Sequence, residues 1–327
     1  MPTPFRPNSA PAIGVGTWAW GNQLLWGYRP EQDRQLQATF QRAVDLGLCF
    51  FDTADSYGTG RFNGRSEQLL GQFCAALASA SRDRLCVATK LAPFPWRLGR
   101  AGYRRAFEAS RRRLQGKLDR VQLHWSTARY APWQEGPLLE GLADLVEQGA
   151  VAELGVSNMG PQRLRQMQAR LADRGLRLAS LQLQMSLLAP APIASEGVLA
   201  VCRELGIAVI AYSPLALGVL GVAPNSPAPL PSGPRGALFR RLLESSLPLR
   251  QALAVIAAQR NSEPAAVALN WCRAHGAMPI PGLRTPLQAE RAAAALAWEL
   301  GEEERLELDR LALAQSRRMP ANPFQSA

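Results

Sequence analysis

Four side chains stand where apolar runs break off, and together they can do chemistry that none does alone. Leu85-Cys86-Val87-Ala88-Thr89 ends at Lys90, Val121-Gln122-Leu123 ends at His124, and Cys49-Phe50-Phe51 ends at Asp52, with Tyr57 five positions on. A phenol can give a proton to an oxygen, but its free pKa of about 10 makes it a poor acid at neutral pH. A neighbouring ammonium stabilises the phenolate, and a carboxylate beside the ammonium fixes its position and keeps it charged. A neutral imidazole can donate to the same oxygen and orient what carries it. The set suits reduction of a carbonyl, which needs a hydride at carbon and a proton at oxygen. A positioned general acid contributes roughly 10²–10⁴-fold to such a step, and holding the two reactants together supplies more.

The scarcity of lysine sharpens the choice of Lys90. Of 37 lysines and arginines only two are lysine, at 90 and 117, and the only histidines are 124 and 275. A chain that uses arginine nearly everywhere keeps lysine at a strand end where a compact ammonium with a movable pKa is needed, which a guanidinium cannot supply. Lys117 lies on a polar stretch and reads as an ordinary surface residue.

The elements that would position these groups recur along the chain. Apolar runs at 12–17, 48–52, 85–90, 121–124, 152–157, 179–183, 207–212 and 278–281 make eight strand candidates. Amphipathic stretches of helical period lie between most of them, at 32–46, 66–78, 104–118, 138–148, 163–174 and 196–205. The strand-end landmarks at 52, 90, 124 and 157 step by one strand, one helix and two loops each time. Eight such units close into a (β/α)8 TIM barrel, predicted here as a single domain over 1–327 with its site at the C-terminal face of the strands. A doubly wound sheet is the alternative. The rhythm breaks over 216–249, rich in glycine and proline. Its place after the seventh strand predicts a lid loop at the rim.

The net charge of +11 invites a nucleic-acid reading. Its best local support, Arg104-Arg105 and Arg111-Arg112-Arg113, falls on a helical pattern with Phe107 and Leu114 and reads as a solvated face, so no nucleic-acid partner is expected. Five scattered cysteines without paired spacing read as reduced thiols. There is no signal-like N-terminus and no long apolar span, so a cytoplasmic protein without a membrane partner is expected. Two histidines without a cysteine pair argue against a metal site, and the absence of a Gly-x-Ser-x-Gly elbow argues against a serine hydrolase.

Phe51-Asp52-Thr53-Ala54-Asp55-Ser56-Tyr57-Gly58, Ala88-Thr89-Lys90, Gln122-Leu123-His124-Trp125, Gly155-Val156-Ser157-Asn158 and Ile280-Pro281-Gly282-Leu283-Arg284 occur in that order. They resemble the successive signatures of the aldo-keto reductases, from about Gly14 to the Leu311 region. Gly14-Val15-Gly16-Thr17-Trp18-Ala19-Trp20-Gly21, Pro95-Trp96-Arg97-Leu98-Gly99-Arg100 and Pro231-Ser232-Gly233-Pro234-Arg235-Gly236 further resemble the cyanobacterial and plastid-type branch. The resemblance implies a barrel that binds NADPH across its C-terminal face, with Asp52, Tyr57, Lys90 and His124 as the catalytic tetrad and Tyr57 as general acid. It further implies that Ser157, Asn158 and Gln182 hold the nicotinamide carboxamide while Tyr212 stacks on the ring. Ser213, Pro214 and Leu215 would follow the pyrophosphate, and Arg284 and Gln288 the adenosine end. An arginine there suits a 2′-phosphate, since its fork offers charge and paired donors together.

Some positions depart from the family pattern: Arg291-Ala292-Ala293 stands where many members carry an adenine-contacting asparagine, Ser126 replaces the usual proline after His-Trp, residues 127–135 match no part of it, and no counterpart of the usual barrel-bottom hairpin is recognisable before Ala12. Trp18, Trp20 and Trp125 are expected to wall the substrate pocket, whereas Trp26 and Trp96 fit either a rim or a core. The expected activity is NADPH-dependent reduction of aldehydes or ketones, a flat aromatic aldehyde such as pyridoxal among them, by a monomer or weak homo-oligomer. The rival expectation is an NADPH-binding, redox-sensing regulatory subunit with little turnover.

Overall fold

The computed structural model describes residues 12–194, 197–224 and 230–326. Eight strands form one parallel sheet in chain order: β1 Val15–Gly16, β2 Phe50–Asp52, β3 Cys86–Leu91, β4 Arg120–Leu123, β5 Glu153–Ser157, β6 Ser180–Gln184, β7 Ala208–Tyr212 and β8 Ala277–Ile280. The last strand returns to the first. Gly16 pairs with Gly282, and the amides of Gly14 and Gly16 donate to the carbonyls of Pro279 and Pro281, each at 3.0 Å. Glycine is needed at position 16, because a Cβ there would stand 2.9 Å from the Ile280 carbonyl oxygen and hold the two strands apart. The expected (β/α)8 barrel is thus the fold, and the doubly wound alternative, an open sheet with two free edges, is excluded.

Strand alternation sorts the residues into two environments. Phe51, Val87, Val121, Leu123, Leu154, Val156, Leu181 and Val209 are buried against the surrounding helices, each contributing roughly 1.5–3 kcal/mol of burial. Phe50, Ala88, Ile210, Met278 and Ile280 form a separate apolar plug inside the barrel. Two residues beyond members of this plug come Asp52, Lys90 and Tyr212. The same alternation that fills the barrel's lower half with hydrocarbon therefore lifts these polar groups to its C-terminal end. Register aligns Lys90 with Gln122 and Ser157 with Gln182 on neighbouring strands.

Helices Asp33–Asp45, Arg65–Ala75, Pro161–Ala172 and Val198–Glu204 match the sequence periodicity to within a few residues; residue 196, where the last was expected to open, lies outside the described residues. Helices Gly99–Arg113 and Pro132–Glu147 begin a turn or more earlier than their apolar spacing predicts. Pro132 sits in the first turn, where its missing N–H is harmless. Arg104, Arg105, Arg111 and Arg112 are exposed opposite buried Tyr103 and Phe107, the solvated face expected.

The segment 216–249 holds more regular structure than a loop: a 3-10 stretch Ala216–Gly221, a helix Gly233–Leu243 anchored by buried Phe239 and Leu242, and the opening of helix Leu247–Gln259. Residues 225–229 of the expected lid, and the first eleven residues of the chain, lie outside the described residues. Among the described residues no helix is long and apolar enough to cross a membrane.

Candidate active site

The site begins with an acid and a base inside the barrel mouth. Asp52 ends β2, and its carboxylate accepts from the Lys90 ammonium on one oxygen and from the amides of Gln182 at 2.7 Å and Gln122 at 3.2 Å on the other. Lys90 also donates to the Thr53 carbonyl at 2.8 Å. Both charges are almost wholly buried. An ion pair removed from water needs extra hydrogen bonds of this kind to offset its desolvation. Burial lowers the Lys90 pKa, with Asp52 opposing it.

Tyr57 reaches the same place from the loop after β2. Its amide donates to the Ala54 carbonyl at 3.1 Å, and its carbonyl accepts from Gly64 at 2.9 Å. Gly58, at φ 118°, makes the loop possible, since a Cβ would fall 1.8 Å from the Phe62 carbonyl oxygen. The ring of Tyr57 has the Lys90 ammonium over it at 4.9 Å from the centroid. Among the described residues the Tyr57 hydroxyl forms no hydrogen bond, and the residue lines the cavity.

Burial holds its pKa well above the ordinary phenol value, with Asp52 and then Asp55 adding to the rise. The net direction in this site is thus upward, with desolvation its largest cause.

His124 follows β4, its ring 5.9 Å from that of Tyr57 and its Nδ1 3.4 Å from the Ser56 hydroxyl. Burial, then Lys90, then Arg97 push its pKa well down, which makes it the neutral imidazole expected. The other histidine, His275, lies elsewhere, bonded to Asp309. Among the described residues no group of three or more His, Cys, Asp or Glu could hold a metal ion.

A cavity of about 610 Å³ opens here, lined by Asp52, Tyr57 and His124 together with all nine expected cofactor residues. Asn158 adopts a left-handed conformation, φ 61°, which asparagine tolerates. Its side-chain amide donates to the His124 carbonyl and the Ser157 hydroxyl, both at 3.1 Å, and its oxygen accepts from the Tyr212 hydroxyl at 2.9 Å. Gln182, expected at the carboxamide, spends its amide nitrogen on Asp52. Ser213, Ala216 and Leu217 also have positive φ. Three such non-glycine residues after β7 mark backbone held in an uncommon shape, as at ligand-binding loops.

Thr285 caps the helix Pro286–Ala294, and the Gln288 side chain accepts from the Arg284 amide at 2.7 Å, which fixes that end of the cavity.

Trp18 and Trp125 line the cavity as expected. Trp20 does not: it is fully buried, edge-on to Phe73, with its indole N–H donating to the Leu283 carbonyl at 2.9 Å. The two undecided indoles separate. Trp96 is exposed and stacked on Phe94. Trp26 lines the cavity with the guanidinium of Arg235 at 4.1 Å and that of Arg284 at 5.1 Å from its ring centroid.

Arg235, on the helix Gly233–Leu243, is the main residue that the sequence reading left without a role. Among the described residues neither it nor Arg284 meets a carboxylate, and the buried Nε of Arg235 has no hydrogen-bond partner. Burial lowers both pKa values, and for Arg235 the charge of Arg284 contributes next. Two desolvated, unneutralised guanidiniums at one end of a cavity suit a phosphate. Also unforeseen is the tail: residues 319–324 enter the cavity, and Phe324 stacks on Trp125 at 4.5 Å.

Comparisons with known proteins agree with this geometry. The profile of the Aldo/keto reductase family matches residues 12–312. The chain is 46% identical over 323 residues to the chloroplastic pyridoxal reductase of Arabidopsis thaliana, covering 98% of this chain and 88% of that protein. Among solved structures, an aldo-keto reductase from Klebsiella pneumoniae in complex with NADPH superposes with a TM-score of 0.73 at 30% identity, covering 97% of this chain and 95% of that one. The glycerol dehydrogenase of Gluconobacter oxydans, at a TM-score of 0.77 and 24% identity over 98% of this chain and 97% of its own, shares the fold.

Proposed function

The chain belongs to the aldo/keto reductase family, and on that footing we propose that it is an NADPH-dependent oxidoreductase that reduces aldehydes or ketones to alcohols, with Tyr57 as general acid. The observation that carries the reading is the gathering of Asp52, Tyr57, Lys90 and His124, from three separate segments, at one end of the barrel, where Asp52, Tyr57 and His124 line the cavity and Lys90 lies against the Tyr57 ring and bonds Asp52. The NADPH bound by the Klebsiella structure supports the choice of cofactor.

The cavity's own chemistry fits that cofactor. Ser157, Asn158 and Gln182 would hold the carboxamide, and Tyr212 would lie against the ring. Ser213, Pro214 and Leu215 would follow the pyrophosphate. Arg284, Gln288 and the newly recognised Arg235 would take the 2′-phosphate, a role suited to the partnerless Nε of Arg235. When bound, NADPH supplies the hydride to the carbonyl carbon. Tyr57 supplies the proton to the carbonyl oxygen, and Lys90, anchored by Asp52, stabilises the phenolate left behind. Neutral His124 donates to the same oxygen and orients it. The segment 216–249 serves as the lid in this reading, supported by its contribution of Arg235 to the cavity.

An aromatic aldehyde of the pyridoxal type is the substrate class proposed. Its support is the name of the Arabidopsis relative and the indole walls at Trp18 and Trp125. A reducing compartment, read as the cytoplasm, fits five cysteines that are all free. The test is incubation of the purified protein with NADPH and a panel of aldehydes and ketones. Oxidation of the cofactor with formation of the alcohol is expected, pyridoxal among the better substrates. Binding of NADPH without turnover across the panel would favour the redox-sensing regulator instead.

A further inference from the structure

We propose that the C-terminal segment 319–326 is an internal competitor for the nicotinamide end of the cofactor site, the side-chain amide of Asn322 standing where the cofactor's carboxamide binds. The inference rests on the assignment of Asn158 and Tyr212 to the nicotinamide.

A side-chain amide has two N–H donors and an oxygen that accepts two bonds. Both donors of Asn158 are used, by the His124 carbonyl and the Ser157 hydroxyl. Both acceptor positions are used as well, by the Tyr212 hydroxyl at 2.9 Å and by Nδ2 of Asn322 at 3.0 Å. Asn158 therefore has nothing left with which to receive a carboxamide N–H. Of its four partners, only Asn322 comes from outside the barrel's strand ends, and only Asn322 offers the same group as the ligand, an amide NH₂. The same nitrogen donates to the Tyr212 hydroxyl at 2.8 Å, so it engages both residues that the nicotinamide needs.

The tail is built to present that group. The Asn322 side-chain oxygen accepts from the Phe324 amide at 2.9 Å, and its carbonyl accepts from the Gln325 amide at 3.0 Å. This local turn leaves Nδ2 directed at Asn158 and Tyr212. On either side the segment is fastened by the Met319 amide on the Leu188 carbonyl at 2.8 Å and by the Ser326 amide on the Asn158 carbonyl at 3.0 Å. Phe324 lies on Trp125 yet remains 45% exposed, an attachment light enough to release. Cofactor binding at Asn158 thus displaces Asn322 and, through Phe324, loosens the cover on the substrate wall at Trp125. Nicotinamide arrival and opening of the substrate mouth become one event.

The test uses the full-length protein, its Asn322→Ala variant and a chain ending at Arg318, titrated with NADPH and, separately, with 2′,5′-ADP, which has the phosphates of the adenosine end and no nicotinamide. The neutral hydrogen bonds of Asn322 Nδ2 given up in the free enzyme correspond to an NADPH Kd about fivefold or more lower in Asn322→Ala, and the shortened chain should bind at least as tightly. The 2′,5′-ADP Kd should stay the same. An NADPH Kd unchanged or raised in Asn322→Ala overturns the competition, and so does equal tightening of both ligands. Asn158→Ala separates the two layers: NADPH binding unaffected by it overturns the nicotinamide assignment itself, whereas weakened binding there with no gain in Asn322→Ala overturns the competition alone.

Discussion

The ammonium of Lys90 lies over the ring of Tyr57, 4.9 Å from its centroid, while its hydrogen bonds go to Asp52 and the Thr53 carbonyl. The cation meets the phenol through its field and not through a bond to the hydroxyl. That arrangement leaves Tyr57 protonated in the resting site, where burial and two carboxylates raise its pKa. With Tyr57 as the proposed general acid, it would act most strongly once negative charge develops on the phenol oxygen. An interaction that grows toward the transition state accelerates the chemical step, where one equally strong in the ground state would not.

The slot that holds Lys90 is closed on all sides, so shape as well as charge should matter there. Lys90→Arg keeps the charge but cannot fit between Asp52 and Thr53 without displacing them, and kcat is expected to fall by roughly 10²–10³. NADPH affinity should change little. Near-normal kcat in Lys90→Arg, with thermal unfolding confirming a folded protein, would mean that any cation suffices.

Arg235 and Arg284 predict a difference between two cofactors. Charge-assisted hydrogen bonds to a phosphate contribute roughly 1.5–3 kcal/mol each, so Arg235→Ala and Arg284→Ala should each raise the NADPH Kd about tenfold or more. NADH, which lacks the 2′-phosphate, should be nearly unaffected. Equal losses for both cofactors would remove these arginines from phosphate recognition.

Asp55 gives a prediction in pH. Burial pushes its carboxyl up from 3.8 to about 6, against the pull of Arg97. A carboxyl raised on folding contributes stability below its unfolded pKa and loses it as pH rises through the folded value. Measured against Asp55→Asn, the protein should therefore lose relative stability, on the order of a few kcal/mol, between about pH 4 and 6 and stay level above. Parallel thermal unfolding of the two proteins checks this, and a constant difference across that range contradicts it.

Much of the barrel was legible because its strands alternate between helix-facing and barrel-facing residues. Phe50-Phe51-Asp52 shows both environments and the site in three residues. The convergence of Asp52, Tyr57, Lys90 and His124 was legible because each closes or follows an apolar run. Trp20 was misplaced because an indole's sequence neighbours do not say whether the turn after β1 sends it to the rim or into the core; the bond to Leu283, far along the chain, settles that. Arg235 was overlooked in a stretch whose glycines and prolines read as loop, and its helix is held by Phe239 and Leu242, whose periodicity is too short to stand out. Asn322 lies past the last recognisable motif, and no local pattern marks an amide that acts by reaching Asn158 and Tyr212.

The most direct test of the account is Tyr57→Phe, which removes one oxygen from the cavity and leaves the ring under Lys90. Carbonyl reduction by the purified variant should fall by roughly 10²–10⁴-fold in kcat, with NADPH bound as tightly as by the unaltered protein. Turnover at the unaltered rate would show that the proton comes from elsewhere and would contradict the account at its centre.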